Sequence, residues 1–330
     1  MTTMTGRALS PAATTHDLTL SDVERAEIGV LAELLATTEP RLVDDAHWVA
    51  AARELSVRLP VRLRETIRAY RHDSGEDGLL LVRNLPVAVD LLPETPTVPE
   101  SVERGATVPA AVAAMLALHI GEILAYRDEK SGALVQNVVP VPGRETSQSN
   151  AGSIPLELHV ENAFHPHRPD FVGLLCLRND HTGTAGTLVS SIRRALPLLS
   201  DRAREVLGQA RFATEPPPSF TAGEANDVHA VLWGAPEDPN VKVDFSATQP
   251  LDHEGREAMD ELRDAFLKVA SSLVLQSGEM AFVDNRISIH GRTAFEPRYD
   301  GHDRWLHRTF VHLDNRRTRG HRAGNGYIVV

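Results

Sequence analysis

The sequence predicts an α+β protein, a helical N-terminal layer packed on a β-sandwich. Two observations carry that expectation. Apolar residues recur at helical spacing over residues 18–72 and again over 108–126. From about residue 133 the pattern changes to many short apolar runs separated by turn signals, with only two helical stretches among them.

In chain order, residues 18–36, 44–59 and 60–73 each place apolar side chains along one helical stripe, with Ser21 and the Asp44–Asp45 pair available as N-caps. GLLLVRNLPV (78–87) reads as a short buried strand, and the Pro-rich segment 91–103 as a loop. Residues 108–126, VPAAVAAMLALHIGEILAY, read as one helix. The strands expected after it are 133–141, 156–162, 170–179, 186–192, 229–234, 241–248, 279–291 and 304–313. Helices are expected over 199–209, capped by Ser200, and from about 252 to 276. Short strands at near-regular spacing indicate a sandwich or barrel. The expected organisation is a disordered lead over 1–17 and one domain over 18–330, helical to about residue 130 and a β-sandwich from 131.

Composition narrows the function classes. A 330-residue chain with 42% hydrophobic and 24% charged residues is that of a soluble globular protein with a large core. Its net charge of −11 argues against nonspecific binding to nucleic acid or to an anionic membrane. The one cysteine, Cys176, excludes a disulfide within the chain, and its apolar setting, FVGLLCL, marks a buried structural thiol. No apolar run approaches the ~18 residues that a membrane span requires. The N-terminal MTTMTGRALSPAATTHD lacks the apolar core of a signal peptide, so a cytoplasmic location is expected.

The segment Glu279–Thr309 draws the chemistry together. AFVDNRISIHG alternates as a half-buried strand, Pro297 and Tyr299-Asp300-Gly301 interrupt it, and RWLHRTFV resumes an extended pattern. On that second strand Arg304, Leu306 and Arg308 share a face, because side chains alternate with period 2. A guanidinium stays charged at ordinary pH. Two of them on a core-like strand are surface residues, structural ion pairs or receptors for a bound anion.

Upstream, His159-Val-Glu161 lies in a strand pattern, where residues i and i+2 face the same way and can reach one metal ion. The triplet alone is weak, since chance alone gives roughly two His-x-acid triplets in this composition. The chain has two, the other being His312-Leu-Asp314. Only the first has company: His290 follows 131 residues later in a strand pattern, and Arg304 comes 14 residues after His290. Two histidines and a carboxylate form the facial triad of non-haem Fe(II) oxygenases, which leaves coordination positions open. Such an iron needs a bidentate co-substrate, and the distal carboxylate of a 2-oxo diacid calls for a fixed guanidinium.

These residues carry a family resemblance. His159-Val-Glu161, the distant His290-Gly-Arg292 and PRYDGHDRWLHR (297–308) resemble the clavaminate synthase-like group of Fe(II)/2-oxoglutarate oxygenases. Within that group the pattern is similar to the asparagine-oxygenase type of free amino-acid β-hydroxylases, which serve peptide-antibiotic pathways. ALVQNVVPVPG, NAGS, ENAFHPHRPDFVGLLCLR and GEMAFVDNR fit the same pattern, so the resemblance covers most of the chain. It implies a double-stranded β-helix (jelly-roll) core with flanking helices, mainly N-terminal. It further implies His159, Glu161 and His290 as iron ligands and Arg304 as the receptor for the distal carboxylate of 2-oxoglutarate. Thr187, 28 residues after His159, matches a position that offers that carboxylate a hydroxyl. Arg308 matches the arginine that takes the substrate α-carboxylate. Glu129, Gln136 and Asn150 match residues around the amino group, and Asp244 matches the acid that meets the substrate side chain. Taken alone, Thr187 also reads as an ordinary strand threonine, Glu129 as a solvated loop charge and Asn150 as a turn residue. An aspartate within a strand is disfavoured by propensity, which speaks for a role at Asp244.

The reaction so implied is hydroxylation at the β-carbon of a free L-α-amino acid, with O2 and with 2-oxoglutarate converted to succinate and carbon dioxide. The Asp244 strand offers Ser246 on its face rather than a second carboxylate, so L-asparagine or another neutral polar amino acid is the expected substrate. Val160, between two ligands, departs from the polar residue expected there. Arginine, lysine, histidine, glutamine, a leucine-like residue or a dipeptide are the alternatives. A carrier-bound aminoacyl group would leave Arg308 without an α-carboxylate to pair. A cupin-like metal-binding protein or a zinc hydrolase has no use for Arg304 at its spacing.

Overall fold

The strand Phe171–Arg178 is buried along seven of its eight residues, which requires cover on both faces. A computed structural model of the chain, describing residues 16–217, 220 and 227–330, places it in the middle of a large mixed sheet. The strands run in the order His16–Thr19, Leu79–Arg83, Met280–Asp284, Phe171–Arg178, Trp305–His312, Glu122–Tyr126 and Ile328–Val329, and Gln136–Val138 also pairs with Trp305–His312. Side chains alternate across this sheet. Leu80, Val82, Leu175, Phe282, Trp305 and Val311 pack outward in one cluster with the helices Asp22–Ala36, Ala46–Ser56, Val61–His72 and Val108–Ile120. Leu79, Leu81, Val172, Leu174, Leu306 and Phe310 point the other way, toward Val189 and Leu273 of a second sheet. That sheet has the order Ser271–Leu273, Thr187–Ser191, Ser288–Arg292 and Leu156–His159. Its far face, through Leu188 and Ile289, packs on helices Asp201–Leu207 and His253–Val269. Two facing sheets with helices outside them make an α+β protein of the jelly-roll type.

Local chemistry accounts for the helix starts. Ser21 and Glu24 form a reciprocal capping box, and the Asp45 carboxylate accepts from the His47 and Trp48 N–H groups. The buried Trp48 indole then donates to the Leu35 carbonyl at 2.9 Å, joining the first two helices.

Several elements differ from the sequence expectation, each where the chain passes from one layer to another. The helix expected over 108–126 stops at Ile120, and Glu122–Tyr126 is a strand. Gly121 makes the change: a Cβ there would lie 2.4 Å from the His312 carbonyl oxygen and 2.8 Å from Val311 Cγ1. Residues 279–291 form two strands in different sheets, Met280–Asp284 and Ser288–Arg292, and both are buried throughout rather than half-buried. The helix expected to about 276 ends at Val269 because Ala270 takes an extended conformation, and Ser271–Leu273 joins the second sheet. Only Val241 of 241–248 lies in the strand Asp238–Val241. Asp244 instead makes an isolated bridge with His159. The first helix begins at Asp22, and His16 and Asp17, assigned to a disordered lead, start a strand parallel to Leu79–Arg83. Residues 1–15 lie outside the described residues. Three strands of the large sheet precede residue 131, so the expected boundary between helical and β parts does not exist as drawn.

Gly121→Ala is expected to destabilise the chain by about 1–3 kcal/mol, the usual cost of an added methyl in packed space. Urea unfolding should show a lower midpoint with an unchanged slope. An unaltered midpoint would mean that the helix–strand junction has slack.

Candidate active site

His159 closes the strand Leu156–His159, and His290 is its direct partner on Ser288–Arg292. Their ring centroids are 4.5 Å apart. Glu161 lies two residues beyond the strand end, so extended geometry does not by itself aim it at the histidines. Asn285 supplies the missing constraint. Its Oδ1 accepts from the Glu161 N–H at 2.8 Å, and its Nδ2 donates to the Glu161 carbonyl at 3.1 Å and to the Pro169 carbonyl at 2.9 Å. With the backbone so held, one ligand atom from each of His159, Glu161 and His290 lies within 4.8 Å of the others.

Protonation suits a divalent cation. Burial works against ionising Glu161, but the Arg308 charge and then His290 outweigh it and hold the carboxyl well below the usual range. Burial, followed by the neighbouring His159, pushes the His290 imidazole down and keeps it neutral. The His159 Nδ1 lies 2.8 Å from the Glu157 carbonyl oxygen, which leaves Nε2 as the ligand atom. One carboxylate and two imidazoles brought together match the donor set of a non-haem Fe(II) centre.

The two arginines of the C-terminal strand region stand in opposite electrostatic situations. Arg304, just before Trp305–His312, is buried and makes no hydrogen bond or ion pair among the described residues. Its Cζ lies 5.9 Å from the Phe295 ring centroid, and Arg292 approaches the same ring at 5.5 Å. Thr187 is the cross-strand partner of Arg292, and its hydroxyl has no partner among the described residues. Arg308, by contrast, is saturated. It donates to Glu161 Oε1 at 2.8 Å and to Gln136 Oε1 at 3.1 Å, and it pairs with Glu129. Asn150, its amide oxygen turned inward as this network requires, accepts at 2.8 Å and 3.2 Å. Burial opposes the Arg308 charge, but Glu129 and Glu161 outweigh it and raise the guanidinium pKa. Burial also raises Glu129. Arg308 is therefore no vacant receptor; any carboxylate that it takes must replace an acceptor that it already has.

Asp244 is half-buried, and its Oδ1 accepts from the Ser246 N–H at 2.8 Å and the Ser246 hydroxyl at 2.6 Å. The Ser246 hydroxyl is thus engaged with Asp244, and Ser246 lines the same cavity as Asp244. Oδ2 of Asp244 remains without a partner among the described residues. A cavity of about 500 Å³ is lined by Glu129, Asn150, His159, Glu161, Asp244 and Arg308, with Phe164 and Phe220 at its side. His290, Gln136, Thr187 and Arg304 are not part of that wall. Of the ten residues singled out from the sequence, six line the cavity and four do not.

Asn285 was missed by sequence reasoning. Its signal was an asparagine inside an apolar strand pattern, where asparagine is depleted. Asn285→Ala is expected to leave the Glu161 backbone N–H buried and unpaired, and to weaken metal binding by roughly 10–100-fold. Anaerobic Fe(II) titration, with circular dichroism to verify folding, measures this. Unchanged affinity would remove Asn285 from the site.

Comparison with known proteins identifies relatives of this chain. The Taurine catabolism dioxygenase TauD, TfdA family model matches residues 44–310. The chain is 48% identical over 327 residues to the L-asparagine oxygenase of Streptomyces coelicolor, covering 99% of this chain and 98% of that one. It is 36% identical to clavaminate synthase 2 of Streptomyces clavuligerus, over 85% of this chain and 89% of that protein. The crystal structure of asparagine oxygenase in complex with Fe(II), 2S,3S-3-hydroxyasparagine and succinate superimposes with a TM-score of 0.92 at 48% identity, covering 95% of this chain and 99% of that one. With the two-histidine, one-carboxylate set placed as described, this chain belongs to the TauD, TfdA family of dioxygenases.

Proposed function

We propose that the chain hydroxylates the β-carbon of free L-asparagine, using Fe(II), 2-oxoglutarate and O2. The observation that carries the reading is Asp244, whose Oδ2 has no partner among the described residues, in the wall of a cavity also lined by His159, Glu161 and Arg308. The 48% identity to an L-asparagine oxygenase supports it.

His159, Glu161 and His290 hold the iron in this reading. When bound, iron couples decarboxylation of 2-oxoglutarate by O2 to oxidation of a substrate C–H bond. Arg304 and the Thr187 hydroxyl receive the distal carboxylate of 2-oxoglutarate. Thr187 and Arg292 form the strand row next to that of His290 and Val189. Two strand residues rise about 6.8 Å, comparable to the reach of a five-carbon 2-oxo diacid. Arg308 takes the substrate α-carboxylate by exchanging it for Glu129, and Glu129, Gln136 and Asn150 then accept from the α-ammonium group. Asp244 Oδ2 accepts a side-chain amide N–H. Together these contacts turn the β-carbon toward the iron-facing side of the cavity, and their work is placement.

A carrier-bound aminoacyl group has no α-carboxylate and would leave the Arg308 network unchanged. The same proposal takes 18–330 as one cytoplasmic oxygenase domain, its flanking helices, mainly N-terminal, bracing the large sheet. Among the described residues no helix is long and apolar enough to cross a membrane.

Purified protein supplied with Fe(II), 2-oxoglutarate and a panel of free L-amino acids should add one oxygen to asparagine, read by mass spectrometry. Absence of succinate release above background with asparagine would sink the substrate assignment and leave the class intact. Asp244→Ala should lower kcat/KM for asparagine by roughly 10–100-fold, the worth of a charge-assisted hydrogen bond. An equal loss on every accepted amino acid would deny Asp244 a part in selectivity.

A further inference from the structure

We infer that Arg292 is a second cation for the distal carboxylate of the co-substrate, a specificity residue beyond Arg304 and Thr187. This rests on the reading of Arg304 given above. Arg292 follows His290 by two residues on one strand, so both side chains leave the same face of the sheet. That face also carries Thr187 directly opposite Arg292. The Arg292 and Arg304 guanidiniums both lie over the Phe295 ring, at 5.5 Å and 5.9 Å from its centroid. Both side chains are almost wholly buried, and neither has a carboxylate within 4.0 Å among the described residues.

Two uncompensated guanidiniums in a protein interior are costly, and native interiors place such charges against anions. The acid whose charge reaches Arg304 is Asp180. Its oxygens are already occupied by the Thr182 N–H and hydroxyl and by the Thr184 and Ala185 N–H groups. The contacts that Arg292 does make are weak for a buried guanidinium. Nη1 reaches the Ser149 carbonyl at 3.5 Å, Nη2 reaches the Ile154 carbonyl at 3.2 Å, and Nε is buried without a partner. An arginine so placed lacks its main acceptor. A carboxylate accepts at about four lone-pair positions. A bidentate Arg304 and the Thr187 hydroxyl fill three of these, and Arg292 is placed for the fourth.

The rival account is that Arg292 only braces the loop of Ser149 and Ile154, which carries Asn150. Two 2-oxo acids separate the accounts: 2-oxoglutarate, and 2-oxopentanoate, which has the same length and no distal carboxylate. Anaerobic titration of the Fe(II) protein with each is followed by the visible charge-transfer band, for wild type, Arg292→Lys and Arg292→Gln. We expect the dissociation constant for 2-oxoglutarate to rise roughly tenfold or more in Arg292→Gln and less in Arg292→Lys. Affinity for 2-oxopentanoate and KM for the amino acid should stay at wild-type values. Equal weakening toward both oxo acids, or a raised amino-acid KM with unchanged 2-oxoglutarate affinity, would overturn the inference in favour of bracing. If Arg292→Gln fails to fold by circular dichroism, the Arg292→Lys comparison of the two oxo acids decides alone. Absence of the band in wild type, or an unaffected 2-oxoglutarate affinity in Arg304→Ala, would instead overturn the reading of Arg304 and this inference with it.

Discussion

The crossing of the chain between the two sheets at Asn285 is the constraint on which the site depends. Met280–Asp284 ends in the large sheet and Ser288–Arg292 begins in the small one, so three residues must make the passage with their polar groups satisfied. They do so by engaging neighbours from distant parts of the chain. The Asp284 carboxylate accepts from Ser74 and from Arg286, the Asn285 N–H donates to the Asp170 carbonyl, and the Asn285 amide takes both backbone groups of Glu161. The amide therefore does two things at once. It completes a buried hydrogen-bond network that would otherwise carry a desolvation penalty, and it sets the position of a metal-ligand candidate outside any strand. A polar residue with fully satisfied partners at such a crossing specifies the register of both sheets, because a slip by one residue would strand its donors.

The charge layout builds on that frame. Arg308 and Glu161 share a buried hydrogen bond, so the charge that keeps Glu161 ionised belongs to the same guanidinium proposed to grip the amino acid. In that proposal, changes at the substrate end would be felt at the iron end through one side chain. Arg304 is the complement: buried, near aromatic carbon, and without an ion-paired acid among the described residues. A saturated cation and a vacant one on the same strand region divide the labour. The first suits a ligand that exchanges with protein acceptors, and the second suits a ligand that supplies the missing charge.

The sequence displayed much of this and concealed the rest for definable reasons. The capped helices were legible because Ser21 and Asp45 act within one turn of the helices that they start. His159, Glu161 and His290 were legible because their type and spacing are improbable in combination. The split of 279–291 was not legible, since a strand buried on both faces and a crossover of three residues leave no break in apolar periodicity. Gly121 and Asn285 show the same limit. Each matters for what lies next to it in space, the His312 carbonyl and the Glu161 backbone, and both neighbours are more than 100 residues away in sequence. Arg308 was read as a receptor without its company, because convergence of Glu129, Gln136 and Asn150 on one guanidinium is a property of the fold.

In the reading proposed above, selectivity for a neutral amide would rest on the partial engagement of Asp244, which shares the cavity wall with Glu157 and Glu215. Asp244 Oδ1 accepts from Ser246, and Oδ2 is without a partner among the described residues. A guanidinium or ammonium side chain that met Asp244 alone would bring a full charge and several donors to a half-engaged carboxylate, and the donors left over would lose water without a partner. A primary amide brings two N–H donors and no charge, so its desolvation cost is smaller. Glu129 is engaged elsewhere, in its ion pair with Arg308. On that proposal the discrimination would come less from an attractive contact to asparagine than from the unpaired donors that a cationic side chain leaves behind, which is the asymmetry by which buried polar sites reject near relatives of their ligands.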